Sequence, residues 1–319
     1  MMQWDTPKLY AVRHKDETIR MNSRSGGIFT ALSDNILNSG GTVYGCILTE
    51  DLKATHVRAE GFDERDKMRG SKYVQSTMGE TFNNAKKDLI DGRNVMFTGT
   101  SCQISGLKAF LSKDYPNLYC VDIACYGVPS PLFLEKYISW VEQSYHSECI
   151  DFNFRNKKHF GWRECVETLT LRHKNKTFAI NSRVYSNVFY SNNSLRPSCY
   201  HCPYKSVMHP GDISIADYWG IEKVNKKMDD NKGVSLVFVN NEKGNQLLEK
   251  VQKDIICVAT QTDAFMRKTY KEPHEHPPTR EHFWKEFFSL DFSKIAKKYG
   301  GYTYKTKIKE ILGIFKSLK

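Results

Sequence analysis

Residues 118–146 are LYCVDIACYGVPSPLFLEKYISWVEQSYH, and this stretch decides the fold. Its first seven residues, 118–124, are apolar apart from Asp122, which is typical of a strand buried on both faces of a parallel sheet. A turn with glycine and proline follows, and residues 129–146 have the length and apolar spacing of a long helix. The stretch therefore predicts one strand–turn–helix unit of an α/β protein.

Similar units precede this one along the chain. A glycine-opened helix at 25–37 leads into a strand at 42–48, and a helix at about 79–90 leads into a strand at 94–98. A further helix is predicted at roughly 103–112. Strands that alternate with helices predict a mostly parallel sheet with flanking helices in the N-terminal half.

The pattern changes beyond residue 150. Short alternating strands, such as 167–171 and 234–239, are separated by polar turns, so the second half is predicted to be α+β. The last stretch is helical and basic, and its apolar stripe is Ile308, Ile311, Leu312 and Phe315. This tail is expected to pack onto the domain, and the alternative is peripheral contact with an anionic membrane. His274 and His276 lie in a proline-rich turn that is predicted to be a linker.

The chain is basic. Its 47 Lys and Arg residues outnumber 36 Asp and Glu residues, which gives a formal net charge of +11 and a surface that attracts anions. An acidic redox partner, a phosphorylated cofactor, a membrane and nucleic acid all fit, but nucleic acid ranks last because no binding module appears. No apolar run reaches about 18 residues and the start lacks a signal-peptide core, so a cytoplasmic location is expected.

Nine cysteines in a chain without a secretory signal argue against a disulfide framework and favour metal or redox use. Cys102 and Cys125 lie in turns directly after predicted strands, and Cys199 and Cys202 form a C-x-x-C pair. The pair alone also fits a dithiol redox couple. Four sulfurs suit either zinc or an iron–sulfur cluster, and two isolated cysteines plus one pair at a sheet edge favour the cluster.

Four turns offer a place for an organic cofactor. Ligands bind beyond the carboxyl ends of parallel strands, which selects the turns at 99–103 and 125–130. Residues 70–73, Gly-Ser-Lys-Tyr, provide amides, a hydroxyl, a cation and an aromatic face that suit a phosphate or an isoalloxazine ring. Residues 25–27 begin a helix whose free N-terminal N–H groups could bind an anion. The alternative for residues 70–73 is an ordinary loop, and the alternative for residues 25–27 is a plain helix cap.

Six motifs, taken in their order along the chain, resemble those of the coenzyme F420 hydrogenase/dehydrogenase beta-subunit family, and the resemblance covers residues 8–270. They are Ser25-Gly26-Gly27, Gly70-Ser71-Lys72-Tyr73, Gly99-Thr100-Ser101-Cys102-Gln103, Cys125-Tyr126-Gly127-Val128-Pro129-Ser130, Cys199-x-x-Cys202 and Asp212-Ile213. Residues 196–200 and 233–236 resemble the bacterial branch that is often linked with polysaccharide biosynthesis. The chain departs from the family at Ser101, usually Pro, at Tyr126, usually His, and at Ala216, usually Gly.

The resemblance implies two cofactors. One four-iron, four-sulfur cluster would be ligated by Cys102, Cys125, Cys199 and Cys202. FAD would be lined by Ser25, Gly26, Gly27, Gly70, Ser71, Lys72, Tyr73, Gly99, Thr100 and Gln103. Lys72 and Tyr126 are the catalytic candidates. The chain would divide into a flavin-binding region at 1–97, a cluster-bearing region at 98–272 and the basic helical tail at 273–319.

The resulting hypothesis is a FAD- and iron–sulfur-dependent oxidoreductase. It would transfer electrons between a ferredoxin-like protein and an organic hydride carrier or substrate. The substrate would be a small molecule or a glycan precursor, and the reaction would belong to polysaccharide biosynthesis. Members of this branch commonly begin with a ferredoxin-like segment, and no cysteine-rich run precedes Trp4, so a separate ferredoxin-like donor is expected. The alternative is a non-redox accessory protein of glycan assembly with a structural cluster or zinc.

Overall fold

The structure is a computed structural model, and it describes residues 3–261 and 271–308. Two sheets organise this part of the chain. The strands are β1 (Lys8–His14), β2 (Thr42–Leu48), β3 (Ala54–Ala59), β4 (Val95–Thr100), β5 (Leu118–Ile123), β6 (Glu148–Asn153), β7 (Glu167–His173), β8 (Lys176–Ser182), β9 (Ile213–Asp217), β10 (Ser235–Val239) and β11 (Ile255–Ala259).

Helices surround both sheets. They are α1 (Glu17–Asn22), α2 (Ile28–Asn38), α3 (Phe62–Asp66), α4 (Thr81–Ile90), α5 (Ser101–Leu111), α6 (Pro131–Tyr145), α7 (Lys157–Phe160), α8 (Val184–Tyr190), α9 (Ile221–Val224), α10 (Glu242–Lys250), α11 (Arg280–Ser289) and α12 (Phe292–Lys298). Short 3₁₀ turns lie at Pro197–His201 and Lys226–Met228. In the described ranges, no helix combines the length and apolar character needed to cross a bilayer.

The larger sheet has eight strands in the order β11-β1-β10-β9-β5-β4-β2-β3 within the described residues. The pairs β2–β4, β4–β5 and β5–β9 are parallel, so the centre of the sheet is parallel, as predicted. Antiparallel pairing adds β3 at one edge and β10, β1 and β11 at the other. The predicted strand at 234–239 therefore belongs to this sheet as β10.

The central strands are almost continuously apolar because helices cover both faces. Met96 and Val121 pack with Leu32 of α2 and Leu247 of α10 on one face. On the other face, a second cluster joins α4 and α5 to the sheet through Tyr44, Phe97, Ile104, Leu107 and Cys120. Burial on both faces explains why the run 118–124 predicted a parallel strand correctly.

The smaller sheet has the order β6-β7-β8 and is antiparallel. It packs against α6, α8 and the C-terminal helices α11 and α12 around Phe133, Tyr185, Leu169, Phe287 and Ile295. The predicted α+β half and the short helical tail are thus confirmed. Residues 309–319, which contain Ile311, Leu312 and Phe315 of the predicted amphipathic tail, lie outside the described residues.

Candidate functional site

A cavity of about 810 Å³ opens at the carboxyl ends of the parallel strands. Its walls contain the predicted cofactor residues Ser25, Gly27, Gly70, Ser71, Lys72, Tyr73, Gly99, Thr100 and Gln103, together with Cys102, Cys125 and Tyr126. The turn at 25–27, the turn at 70–73 and the post-strand turns therefore meet at one site. This is the edge at which the topology of the sheet places a ligand.

Gly26 lies behind this wall and allows a close backbone approach. A Cβ atom there would lie 2.2 Å from the carbonyl oxygen of Val12 and 2.6 Å from the amide nitrogen of Ser235. Its neighbour Gly27 has φ +93° and begins α2, whose first residues Ile28 and Phe29 line the cavity. The glycine pair therefore lets the positive end of the α2 dipole face the cavity.

The turn at 99–103 is held by a chain of hydrogen bonds. Gln103 Oε1 accepts from the Thr100 amide at 2.9 Å, and Gln103 Nε2 donates to Ser76 Oγ at 2.9 Å. His56 lies 2.9 Å from Ser76 through Nδ1 and 3.0 Å from the Thr98 carbonyl through Nε2. Since a carbonyl only accepts, Nε2 carries the proton and Ser76 donates to Nδ1.

His56 is buried, and no sequence motif indicated its role. Burial lowers the pKa of His56 to about 4, so the ring is neutral at physiological pH. Both ring nitrogens are used in the hydrogen bonds above, which makes His56 a fixed support for the turn rather than a proton donor to the cavity.

Lys72 stabilises the turn that carries it. Its Nζ donates to the carbonyls of Lys67 at 3.0 Å, Met68 at 3.1 Å and Arg69 at 3.0 Å. Burial lowers the pKa of Lys72 to about 8, so the side chain stays largely cationic at neutral pH. The positive charge therefore remains in the cavity wall beside Gly70, which has φ +82°.

Tyr73 connects the cavity to an aromatic cluster. One face of its ring stacks on Phe189 with centroids 5.2 Å apart, and its hydroxyl lies 3.4 Å from Nη1 of Arg155. Arg155 also contacts Asp217 at 3.0 Å. Burial alone would raise the pKa of Asp217, but Arg24 and Arg155 lower it, and the carboxyl is ionised.

The cavity wall is predominantly cationic. Its lining includes Arg24, Arg69, Lys72, Arg155, Arg163 and Arg196, against the carboxylate of Asp217. Several of these cations are paired with acids or backbone carbonyls, and among the lining residues the cations outnumber the single carboxylate. An anionic ligand is therefore favoured.

Two of the three cysteine-bearing segments, the loop after β5 and the loop with Cys199 and Cys202, lie against each other. Cys102 is the second residue of α5, and Cys125 follows β5 directly. The loop with Cys199 is joined to the loop after Cys125 by a hydrogen bond from the Arg196 amide to the Val128 carbonyl, at 2.8 Å. A Cβ atom on Gly127 would lie 3.6 Å from Cβ of Cys199, which shows how closely the loops pack.

The sulfurs influence one another electrostatically. Burial raises the pKa of the Cys125 thiol to about 12, and Cys199 and Cys102 add to that shift. Burial also raises the pKa of Cys199, with further contributions from Cys202 and Cys102. Cys102 and Cys125 line the cavity, and a metal centre bound by these thiols would displace their protons.

These sulfurs are not arranged around a single ion. Among the described residues, no three His, Cys, Asp or Glu side chains converge closely enough to hold one metal ion. A tetrahedral zinc site with Zn–S bonds of about 2.3 Å would bring its sulfurs to roughly 4 Å of one another. The present spacing is looser than such a preformed zinc site.

Lys205 is a site residue that sequence reasoning missed. It is only 8% exposed, and its ammonium lies 5.7 Å from the centroid of the Tyr126 ring. Burial lowers its pKa, and the neighbouring thiols of Cys125, Cys202 and Cys199 oppose that shift. Its position three residues after the C-x-x-C pair was the available signal in the sequence.

Tyr126 is fixed from two sides. Its hydroxyl donates to Asn192 Oδ1 at 2.9 Å, and its ring centroid lies 4.0 Å from that of His274. His274 Nε2 is buried without a hydrogen-bond partner among the described residues, and burial lowers the pKa of His274 to about 4. The predicted linker around His274 is therefore wrong in this respect, because the segment packs onto the Cys125 loop.

The same segment also holds the C-x-x-C turn. Arg280 Nε donates to the hydroxyl of Tyr200 at 3.0 Å, and Arg280 Nη2 donates to the Leu195 carbonyl at 2.8 Å. The ring of His276 lies 5.0 Å from that of Tyr200. Residues 274–280 thus cover both loops that carry the predicted cysteine ligands.

Comparison with known proteins identifies the family of the chain and solved structures that share its fold. Residues 92–264, more than half of the chain, match the family described as the C terminus of the coenzyme F420 hydrogenase/dehydrogenase beta subunit. A chain of the F420-reducing [NiFe] hydrogenase complex from Methanosarcina barkeri shares the fold, with a TM-score of 0.55 and 19% identity. The match covers 81% of this chain and 85% of that one. A search of curated proteins gives no match.

Proposed function

Because the chain belongs to the coenzyme F420 hydrogenase/dehydrogenase beta-subunit family, which points to redox electron transfer, we propose a flavin- and iron–sulfur-dependent oxidoreductase. It transfers electrons between a ferredoxin-like protein and an organic hydride carrier or substrate. The observation that carries the proposal is that Cys102 and Cys125 line the same cavity as the predicted flavin turns. Two redox groups placed there would be neighbours.

The cavity supports FAD as the organic cofactor. Its volume of about 810 Å³ lies in the range of about 300–1,000 Å³ that is usual for cofactor sites. The cationic wall and the α2 N-terminus suit the anionic pyrophosphate, and the turns at 70–73 and 99–103 let backbone amides approach a ring. Lys72 keeps the first of these turns in place, and Gln103 with His56 keeps the second.

The sulfur set supports a four-iron, four-sulfur cluster ligated by Cys102, Cys125, Cys199 and Cys202. The buried cation of Lys205 beside three of these thiols suits an anionic centre. The orphaned Nε2 of His274 nearby suits a polar group that the described part of the chain does not supply.

Flavin suits such a junction because, when bound, it accepts a hydride as two electrons and passes them singly to an iron–sulfur acceptor. The chain's own residues would bind and orient the cofactors. Lys72 provides positive charge at the flavin, and Tyr126 lies beside Cys125 with its hydroxyl held by Asn192. We assign these two residues the catalytic roles that the resemblance implies.

The partners follow from charge and resemblance. A net charge of +11 favours an acidic ferredoxin-like protein as the one-electron partner. The matched hydrogenase chain belongs to a complex, which fits a function in association with another protein. The resemblance to the polysaccharide-associated branch favours a glycan precursor as the organic substrate.

Visible spectroscopy of anaerobically purified protein tests the proposal. We expect flavin bands and a broad sulfur-to-iron absorption that dithionite bleaches. Cys102→Ser should lose the broad absorption and keep the flavin. Cys165→Ser is the matched control, since Cys165 lines the same cavity outside the proposed ligand set, and it should keep both. A colourless protein that contains zinc would refute the proposal.

A further inference from the structure

Lys205 is a buried cation beside the proposed cluster ligands. It follows the C-x-x-C pair, and its amide donates to the Cys202 carbonyl at 3.4 Å. The backbone therefore ties Lys205 to the cysteine turn. Its side chain reaches back over the ring of Tyr126, the residue next to Cys125.

The Lys205 ammonium lies over the ring of Tyr126, 5.7 Å from its centroid, and Tyr126 directly follows Cys125 in the chain. The thiols of Cys125, Cys199 and Cys202 act on it electrostatically. The His274 ring also packs against Tyr126, with ring centroids 4.0 Å apart, and is neutral at physiological pH. An anionic group at the sulfur site would be attracted to this ammonium.

An iron–sulfur cluster with four thiolates is such a group. Its net charge is negative and becomes more negative on reduction, so a fixed buried cation favours the reduced form. Resting on the proposed function, we infer that Lys205 compensates the charge of the four-sulfur site and raises the reduction potential of the cluster held there. Lys205 thus sets how readily the cluster accepts an electron from the flavin.

A redox titration of the anaerobic holoprotein, followed by electron paramagnetic resonance, tests this inference. Lys205→Met removes the charge and keeps most of the side-chain length. We expect the equilibrium constant for one-electron reduction of the cluster to fall at least tenfold, which corresponds to about 59 mV for each factor of ten. Lys205→Arg, which keeps the charge, should retain a potential close to that of the wild type.

Lys243→Met is the matched control. Lys243 pairs with Asp212, and it donates to the carbonyl of Leu118 at the opposite end of β5 from Cys125. Its replacement should leave the cluster potential unchanged. The flavin potential, measured in the same sample, shows whether an effect is confined to the sulfur site.

Each outcome decides the matter. A Lys205→Met protein with the wild-type cluster potential would overturn the inference. Loss of the cluster in Lys205→Met with retention in Lys205→Arg would support a required charge. Loss in both variants would assign Lys205 to packing and overturn it. Absence of any iron–sulfur signal from the wild-type protein would instead refute the proposed function. The wild type is therefore measured before the variants.

Discussion

His56 provides a quantitative test of the hydrogen-bonded support behind the cavity. Its pKa is about 4 in the folded protein, because burial disfavours the charged ring, and about 6.5 in an unfolded chain. Between these values the unfolded state binds more protons, so the free energy of unfolding rises with pH in that window. The contribution of His56 is complete above pH 6.5 and is lost as pH falls towards 4.

The full difference of about 2.5 pKa units corresponds to roughly 3 kcal/mol, and about 2 kcal/mol of it is lost between pH 7 and pH 5. His56→Gln should lack this loss, since glutamine can donate to the Thr98 carbonyl and accept from Ser76 without titrating. Urea unfolding of the wild type and the variant at both pH values measures the effect. Other titrating groups, including His274, are common to both proteins and cancel in the comparison.

The expected result is that acidification from pH 7 to pH 5 destabilises the wild type by about 2 kcal/mol more than His56→Gln. Equal losses in the two proteins would refute the assignment of a neutral, buried His56. A larger loss in the variant than in the wild type, which is the opposite of the predicted sign, would refute the assignment as well.

Three further predictions concern the backbone and the loops of the site. Gly26→Ala should lower the free energy of unfolding by about 2 kcal/mol or more, because its Cβ would meet the Val12 carbonyl at 2.2 Å; thermal unfolding measures this. Gly106→Ala, whose Cβ would have ordinary contacts at 3.7 Å in α5, should be neutral or stabilising; equal losses would contradict the packing argument. Arg280→Met removes the hydrogen bonds to Tyr200 and Leu195 and should speed iron release to a chelator several-fold, followed by the decay of the visible absorption. An unchanged release rate would show that the segment does not secure the C-x-x-C turn. Gln103→Ala should cost about 1 kcal/mol through loss of the α5 cap, with the midpoint of urea unfolding as the measure and an unshifted midpoint as the contrary result.

The centre of the fold could be predicted from local pattern. Buried strands such as 94–98 and 118–124 have apolar runs, and the helices between them have apolar spacing, so the parallel core and its ligand-binding edge followed directly. The cavity lies at that edge, and the four predicted turns reach it.

The edges of the sheet could not be predicted in the same way. Strand β1 pairs with β10 and β11, more than two hundred residues away, and no local signal specifies such pairing. Strands β9 to β11 complete a sheet that begins in the N-terminal half, although the pattern beyond residue 150 indicated a separate α+β region.

The supporting residues of the site were missed for a related reason. His56 acts through Ser76 and Gln103, and His274 reaches Tyr126 from a segment almost 150 residues later. Their roles depend on which segments pack together, whereas glycine turns and a C-x-x-C pair are recognisable from spacing. For Lys205, the sequence showed its position close to the C-x-x-C pair, but it did not show that the side chain is buried.

An anomalous difference map at the iron edge, from crystals grown anaerobically, would reveal directly whether the four cysteines hold a cluster. We expect a strong peak enclosed by Cys102, Cys125, Cys199 and Cys202, with isoalloxazine density in the adjoining cavity. Peaks at the zinc edge alone, or an iron site bound by other side chains, would contradict the proposed redox junction.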